Sequence, residues 1–74
     1  GTWVLQVHAL RDAKVANGIV QRLSRKGYPA YVVASGAPAS MYRVFVGRYK
    51  DRDEAERVAA RLKKEEQFNP WITR

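Results

Sequence analysis

Six side chains in this sequence suit the gripping of a polar polymer: Gln6, His8, Tyr31, Arg43, Phe45 and Trp71. A guanidinium is a planar fork of donors that matches carboxylate or phosphate oxygens, and glutamine both donates and accepts. The faces of Phe, Tyr and Trp stack on flat or C–H-rich surfaces. These are the tools of binding. The types needed for turnover are missing or explained otherwise. His8 is the only histidine, there is no cysteine, and no serine lies in a recognisable nucleophile setting. No metal-ligand spacing and no Gly-rich phosphate loop is present, including after the first predicted strand, where an acylphosphatase-like domain would need one. The acids Asp51, Asp53, Glu54, Glu56, Glu65 and Glu66 fall at the start or on the surface of a predicted helix, where capping and solvation account for them. No catalytic residue, metal or cofactor is therefore expected.

Charge narrows the partner. Fourteen Lys and Arg against seven acids give a formal charge of +7, which favours a polyanion: nucleic acid, an anionic membrane or a carboxylate-bearing polymer. With 46% hydrophobic and 28% charged residues, the 74-residue chain is expected to fold as one small domain. Domains of this size bury only roughly 60% of their unfolded surface, so a deep active-site cavity is not expected. No apolar run approaches the roughly 18 residues needed to cross a bilayer. The first residue is Gly1, and the chain reads as a module cut from a longer protein.

The elements that must position the six residues follow from periodicity. Residues 3–10 alternate, with Leu5 and Val7 in one phase and Gln6 and His8 in the other, as in a half-buried strand. Asp12 caps a predicted helix with an apolar stripe of Ala16, Ile19, Val20 and Leu23, stopped by Gly27. Pro29 to Ala34 reads as a second strand, and Tyr42 to Tyr49 as a third. Between these two, Ser35–Ser40 reads as a hairpin loop, with a mobile flap as the alternative. Asp51 and Glu54 have capping-box spacing before a second helix with Ala55, Val58, Ala59 and Leu62 on one face. Phe68 to Thr73 reads as a fourth strand, which Pro70 pushes toward a sheet edge.

A shift of 39 residues superposes the halves: Leu5 on Val44, Val7 on Val46, Ala16 on Ala55, Ile19 on Val58 and Leu23 on Leu62. Two β-α-β units predict an α+β fold, a βαββαβ two-layer sandwich of the ferredoxin-like or RNP-like kind. It has a four-stranded, mainly antiparallel sheet with both helices on one face. Strand parity then sends Leu5, Val7, Val32, Val44, Val46 and Ile72 to the helices. Gln6, His8, Tyr31, Val33, Arg43, Phe45, Trp71 and Thr73 go to the opposite face, which nothing remains to cover. An exposed face with three aromatic residues beside Gln, His and Arg points to ligand binding.

Two strands carry a family resemblance. Leu5-Gln6-Val7-His8-Ala9-Leu10 is similar to the opening "VQVGSF"-type strand of SPOR (sporulation-related repeat) domains, and Tyr42-Arg43-Val44-Phe45-Val46-Gly47-Arg48-Tyr49 resembles their "YRVxVGPF"-type strand. Ala16, Leu23, Gly27-Tyr28 and Ala30, then Asp53-Glu54-Ala55 and Leu62, fit the family's intervening elements, so residues 1–74 look like a single SPOR-like domain. The resemblance implies a non-catalytic module of the periplasm or cell envelope, and a monomer is the default expectation. It would bind peptidoglycan glycan strands stripped of stem peptides and so direct a host protein to the division septum. It also implies roles for Gln6 and Arg43 in the glycan groove and for Trp71 as a fourth-strand aromatic. This sequence departs from the pattern at His8 for Gly, Ala9 for Ser, Leu10 for Phe and Arg48 for Pro, and His8 would add bulk to the groove.

The chemistry agrees with such a ligand. A bare glycan strand carries a lactyl carboxylate on each N-acetylmuramic acid, which Arg43, with Arg48 as a second candidate, would hold by charge-assisted hydrogen bonds. Gln6 suits an N-acetyl group, and Tyr31, Phe45 and Trp71 suit pyranose rings. A stem peptide would convert the carboxylate to an amide and add bulk. The alternative is single-stranded RNA, because an RRM has the same layout and stacks bases on its sheet. Here the RNP1 pattern is matched only at Phe45-Val46, so nucleic acid is not the expected partner. A protein-interaction module using the sheet edges is the third class.

Overall fold

The computed structural model describes residues 2–36 and 40–74. The chain runs β1 (Trp3–Leu10), α1 (Ala13–Arg25), β2 (Ala30–Ser35), β3 (Met41–Tyr49), α2 (Arg52–Glu66) and β4 (Trp71–Thr73). The strands form one antiparallel sheet in the order β2-β3-β1-β4, so the βαββαβ expectation holds and β4 is an edge strand. Residues 37–39 of the predicted loop lie outside the described residues. On either side of them, β2 and β3 pair as far as Ser35 and Met41.

The core lies where the repeat predicted. Leu5, Val7, Val44 and Val46 of the central strands meet Ala16 and Leu23 of α1 and Ala55 and Leu62 of α2, with Tyr28 closing one end. The alanines and leucines are repeat equivalents. The small pair lets each helix approach the sheet, and the large pair fills the space beyond. Full burial of one such leucine contributes about 1.5–3 kcal/mol.

The helix ends are decided by local hydrogen bonds. At the start of α1, the Asp12 carboxylate accepts from Lys14 N–H at 2.9 Å and Val15 N–H at 3.2 Å. At its end Gly27, with φ of 92°, sends its N–H to Ser24 O, and Tyr28 N–H returns to Leu23 O. This closes the helix as a Schellman motif. The second start differs from expectation: Asp51 occupies the N-cap but makes no side-chain capping bond, so no capping box forms.

Two strand boundaries also differ. Pro29 precedes β2, and its carbonyl accepts the Gly47 N–H at 2.9 Å. The fourth strand is only Trp71–Thr73. Phe68, expected within it, instead packs against the core, with the Arg22 guanidinium 5.6 Å from its ring centre. Gln67 has turned the chain there with a left-handed φ of 57°. No helix among the described residues is long and apolar enough to cross a membrane.

Candidate ligand-binding face

Strand register assembles the site. Gln6 lies opposite Trp71 on β4 and opposite Phe45 on β3, and Phe45 lies opposite Tyr31 on β2. Cross-strand partners share a sheet face, so Trp71, Gln6, Phe45 and Tyr31 form one row across all four strands. At about 4.8 Å between strands, the row spans roughly 15 Å. Tyr31 and Phe45 are stacked, with ring centres 5.6 Å apart and planes at 24°. Trp71 stands free at the far end, 74% exposed.

Arg43 lies one step along β3 from this row, flanked by Val33 of β2 and Ala9 of β1. Five of the six predicted residues thus converge on one face. Among the described residues, those that the register assigns to this face include no carboxylate, so its charge is positive without local compensation. The described residues also contain no cluster of His, Cys, Asp and Glu able to hold a metal ion.

His8 does not join the row, contrary to strand parity. Gln6 pairs with Phe45 and His8 with Val44, two steps on β1 against one on β3. This is a β-bulge in β1, and it reverses the phase of everything after it. His8 therefore pairs with the fully buried Val44, and its ring lies 6.4 Å from that of Phe68, which packs against the core on the helix side. Ala9 takes the open-face position beside Arg43, so the bulk anticipated from His8 is absent there.

Parity also missed a residue. From Leu5–Val46 to Trp3–Tyr49, β1 advances two residues and β3 three, so β3 carries a bulge of its own. Gly47, with φ of 84°, forms it. Beyond it Tyr49 turns to the helices, where burial and then the Glu54 carboxylate push its phenol above the usual 10.0. Arg48 turns the other way, onto the open face. Its guanidinium lies 5.7 Å from the centre of the Tyr31 ring, and the Tyr31 hydroxyl donates a long hydrogen bond, 3.5 Å, to Gly47 O. Pro29, Tyr31, Gly47, Arg48 and Tyr49 line a shallow cavity of about 510 Å³ at this corner. The one signal in the sequence was Gly47 itself, since glycine inside a strand often marks a bulge.

The architecture is an antiparallel sheet backed by two helices, with an uncovered aromatic and cationic face. The chain belongs to the SPOR domain family, which it matches over residues 1–74. It is 40% identical over 73 residues to the endolytic peptidoglycan transglycosylase RlpA of Yersinia pestis, an alignment covering 97% of this chain and 19% of that protein. The chain thus spans about a fifth of the length of that curated relative. Two solved structures share the fold. The peptidoglycan binding domain of the B. subtilis cell wall lytic enzyme CwlC superposes with a TM-score of 0.82 at 23% identity, covering 99% of this chain and 87% of that one. The RlpA SPOR domain from Pseudomonas aeruginosa gives 0.81 at 22% identity, covering 100% and 99%.

Proposed function

We propose that this domain binds bacterial peptidoglycan on its open sheet face without turning it over. It prefers glycan strands that have lost their stem peptides, and it holds a host protein of the cell envelope at the septum or other sites of wall remodelling. The observation that carries this reading is the unbroken row Trp71–Gln6–Phe45–Tyr31 with Arg43 beside it, on a face with no carboxylate among its described residues. A row of three aromatic rings and one amide suits a chain of N-acetylated sugars, and Arg43 suits the lactyl carboxylate exposed when the stem peptide is removed. Family membership supports the same reading, as do the names of a relative and of a structural neighbour, both of which concern peptidoglycan.

The test is sedimentation of the domain with purified sacculi before and after amidase treatment. Binding should rise as stem peptides are removed, and no change would overturn the preference for bare glycan. Arg43→Ala combined with Gln6→Ala should weaken binding by roughly tenfold or more, the loss expected for a charge-assisted contact. Unchanged binding by this double variant would remove the face from the proposal. Single-stranded RNA in a parallel pull-down distinguishes the shared-layout alternative, and retention of RNA in preference to stripped sacculi would overturn the glycan reading.

A further inference from the structure

The bulge at Gly47 creates a second cationic position that strand alternation does not supply. Without the extra residue, Tyr49 would follow Phe45 onto the open face and Arg48 would point toward the helices. With it, Arg48 is exposed on the open face over Tyr31, and Tyr49 packs against the core. Arg43 and Arg48 now bracket the aromatic pair. Arg43 pairs across to Val33 on one side of the Tyr31–Phe45 stack, and Arg48 lies over Tyr31. They stand five positions apart on β3, about 16 Å along an extended strand before the bulge shortens it. That backbone separation, with the stacked Tyr31 and Phe45 rings on the same face, suits two carboxylates spaced along one polymer better than a single carboxylate shared by both.

Arg48 is also free to act. No salt bridge ties it to any carboxylate among the described residues, whereas Arg22, Arg52 and Arg61 are each paired with a glutamate. Its guanidinium lies over the Tyr31 ring, which can hold the guanidinium plane in place while leaving its donors available. The shallow cavity at this corner is lined by Pro29, Tyr31, Gly47 and Tyr49 together with Arg48 itself.

We infer that Pro29, Tyr31, Gly47, Arg48 and Tyr49 form a second, separable subsite that takes one sugar ring with its carboxylate. Arg43 and Arg48 then hold carboxylates on different muramic acid residues of one strand. This rests on the glycan-binding reading above and deepens it: the domain selects for length, requiring a strand that carries at least two exposed carboxylates for full affinity.

Isothermal titration of the domain and of Arg48→Ala against stem-peptide-free glycan fragments of graded length tests the inference. Chitin oligosaccharides of the same lengths, which lack the carboxylate, and peptide-bearing fragments serve as comparison ligands. Arg48→Ala exchanges an exposed side chain, so circular dichroism should report an unchanged fold. For fragments with two or more carboxylates, wild type should exceed Arg48→Ala in affinity by roughly tenfold. The difference should shrink to within about twofold on chitin and on fragments with one carboxylate, where Arg43 alone can serve. An equal loss on chitin, or a loss confined to peptide-bearing fragments, would overturn the subsite. So would wild-type affinity in Arg48→Ala while Arg43→Ala plus Gln6→Ala remains impaired, an outcome that leaves the glycan reading standing. Failure of the wild-type domain to bind any of these glycans would overturn both.

Discussion

A φ of 84° and a tyrosine ring lying where a β-carbon would project together demand glycine at position 47. Any L-residue there pays for the left-handed backbone and also drives its Cβ into the Tyr49 ring, which is held against the core. Gly47→Ala is expected to destabilise the domain by about 2–4 kcal/mol, combining a left-handed penalty of 1–2 with an overpacking cost of similar size. Urea unfolding followed by circular dichroism measures it. A loss below about 0.5 kcal/mol would show that β3 can shed its bulge cheaply. The same residue shows how local the site's chemistry is. Arg48 is out of phase with Arg43, and a single backbone turn delivers it to the open sheet face.

At the scale of elements, the two β-α-β units are alike in core and unlike in how their helices begin. Asp12 satisfies two N–H groups of α1 that have no partner within the helix, whereas Asp51 makes no such bond at the start of α2. Asp53 and Glu54 compensate there, placing negative charge in the first turn against the helix dipole. Asp12→Ala should therefore cost about 1 kcal/mol, and Asp51→Ala less than half of that. Thermal unfolding of both variants at neutral pH ranks them, and equal losses would contradict the difference in capping. The strands show a parallel asymmetry. Bulges in β1 and β3 carry one extra residue each on opposite strands, so the ladder continues past both while the side chains beyond each bulge change faces.

Across the whole molecule, one carboxylate joins the two helices. Glu66 at the end of α2 is nearly enclosed, its side chain 3% exposed, and it accepts from Lys26 Nζ at 2.8 Å and Arg22 at 3.3 Å. The Lys26 bond holds its carboxyl below the ordinary 4.5, Arg22 adds to this, and the opposing cost of burial is outweighed. Because the folded-state pKa is depressed, Glu66 contributes stability above pH 4.5, and that contribution is lost as the pH falls through the folded value. Wild-type denaturant midpoints should thus drop on acidification below about pH 4.5, and Glu66→Gln should flatten that part of the profile. Parallel slopes for the two proteins would assign the acid sensitivity to other carboxylates. A domain this small has little stability to spare, so this link at the base of both helices helps to keep the sheet backed and its other face open.

The amino-acid sequence by itself determined the architecture and most of the candidate face. Apolar spacing repeated across 39 residues fixes which side of each element is buried, and burial energy enforces that pattern. Hence the β-α-β repeat, the Leu and Ala core and the grouping of Gln6, Tyr31, Arg43, Phe45 and Trp71 were all legible from residue types. His8 and Arg48 were not. Which face each occupies depends on where the ladder between β1 and β3 gains an extra residue, and that is settled only when two distant strands pair. Strict alternation assumes a regular ladder, and a bulge costs the sequence nothing visible except, at Gly47, a glycine. The strand that begins at Met41 therefore presents Arg43 and Phe45 by alternation, and Arg48 only through the tertiary fold.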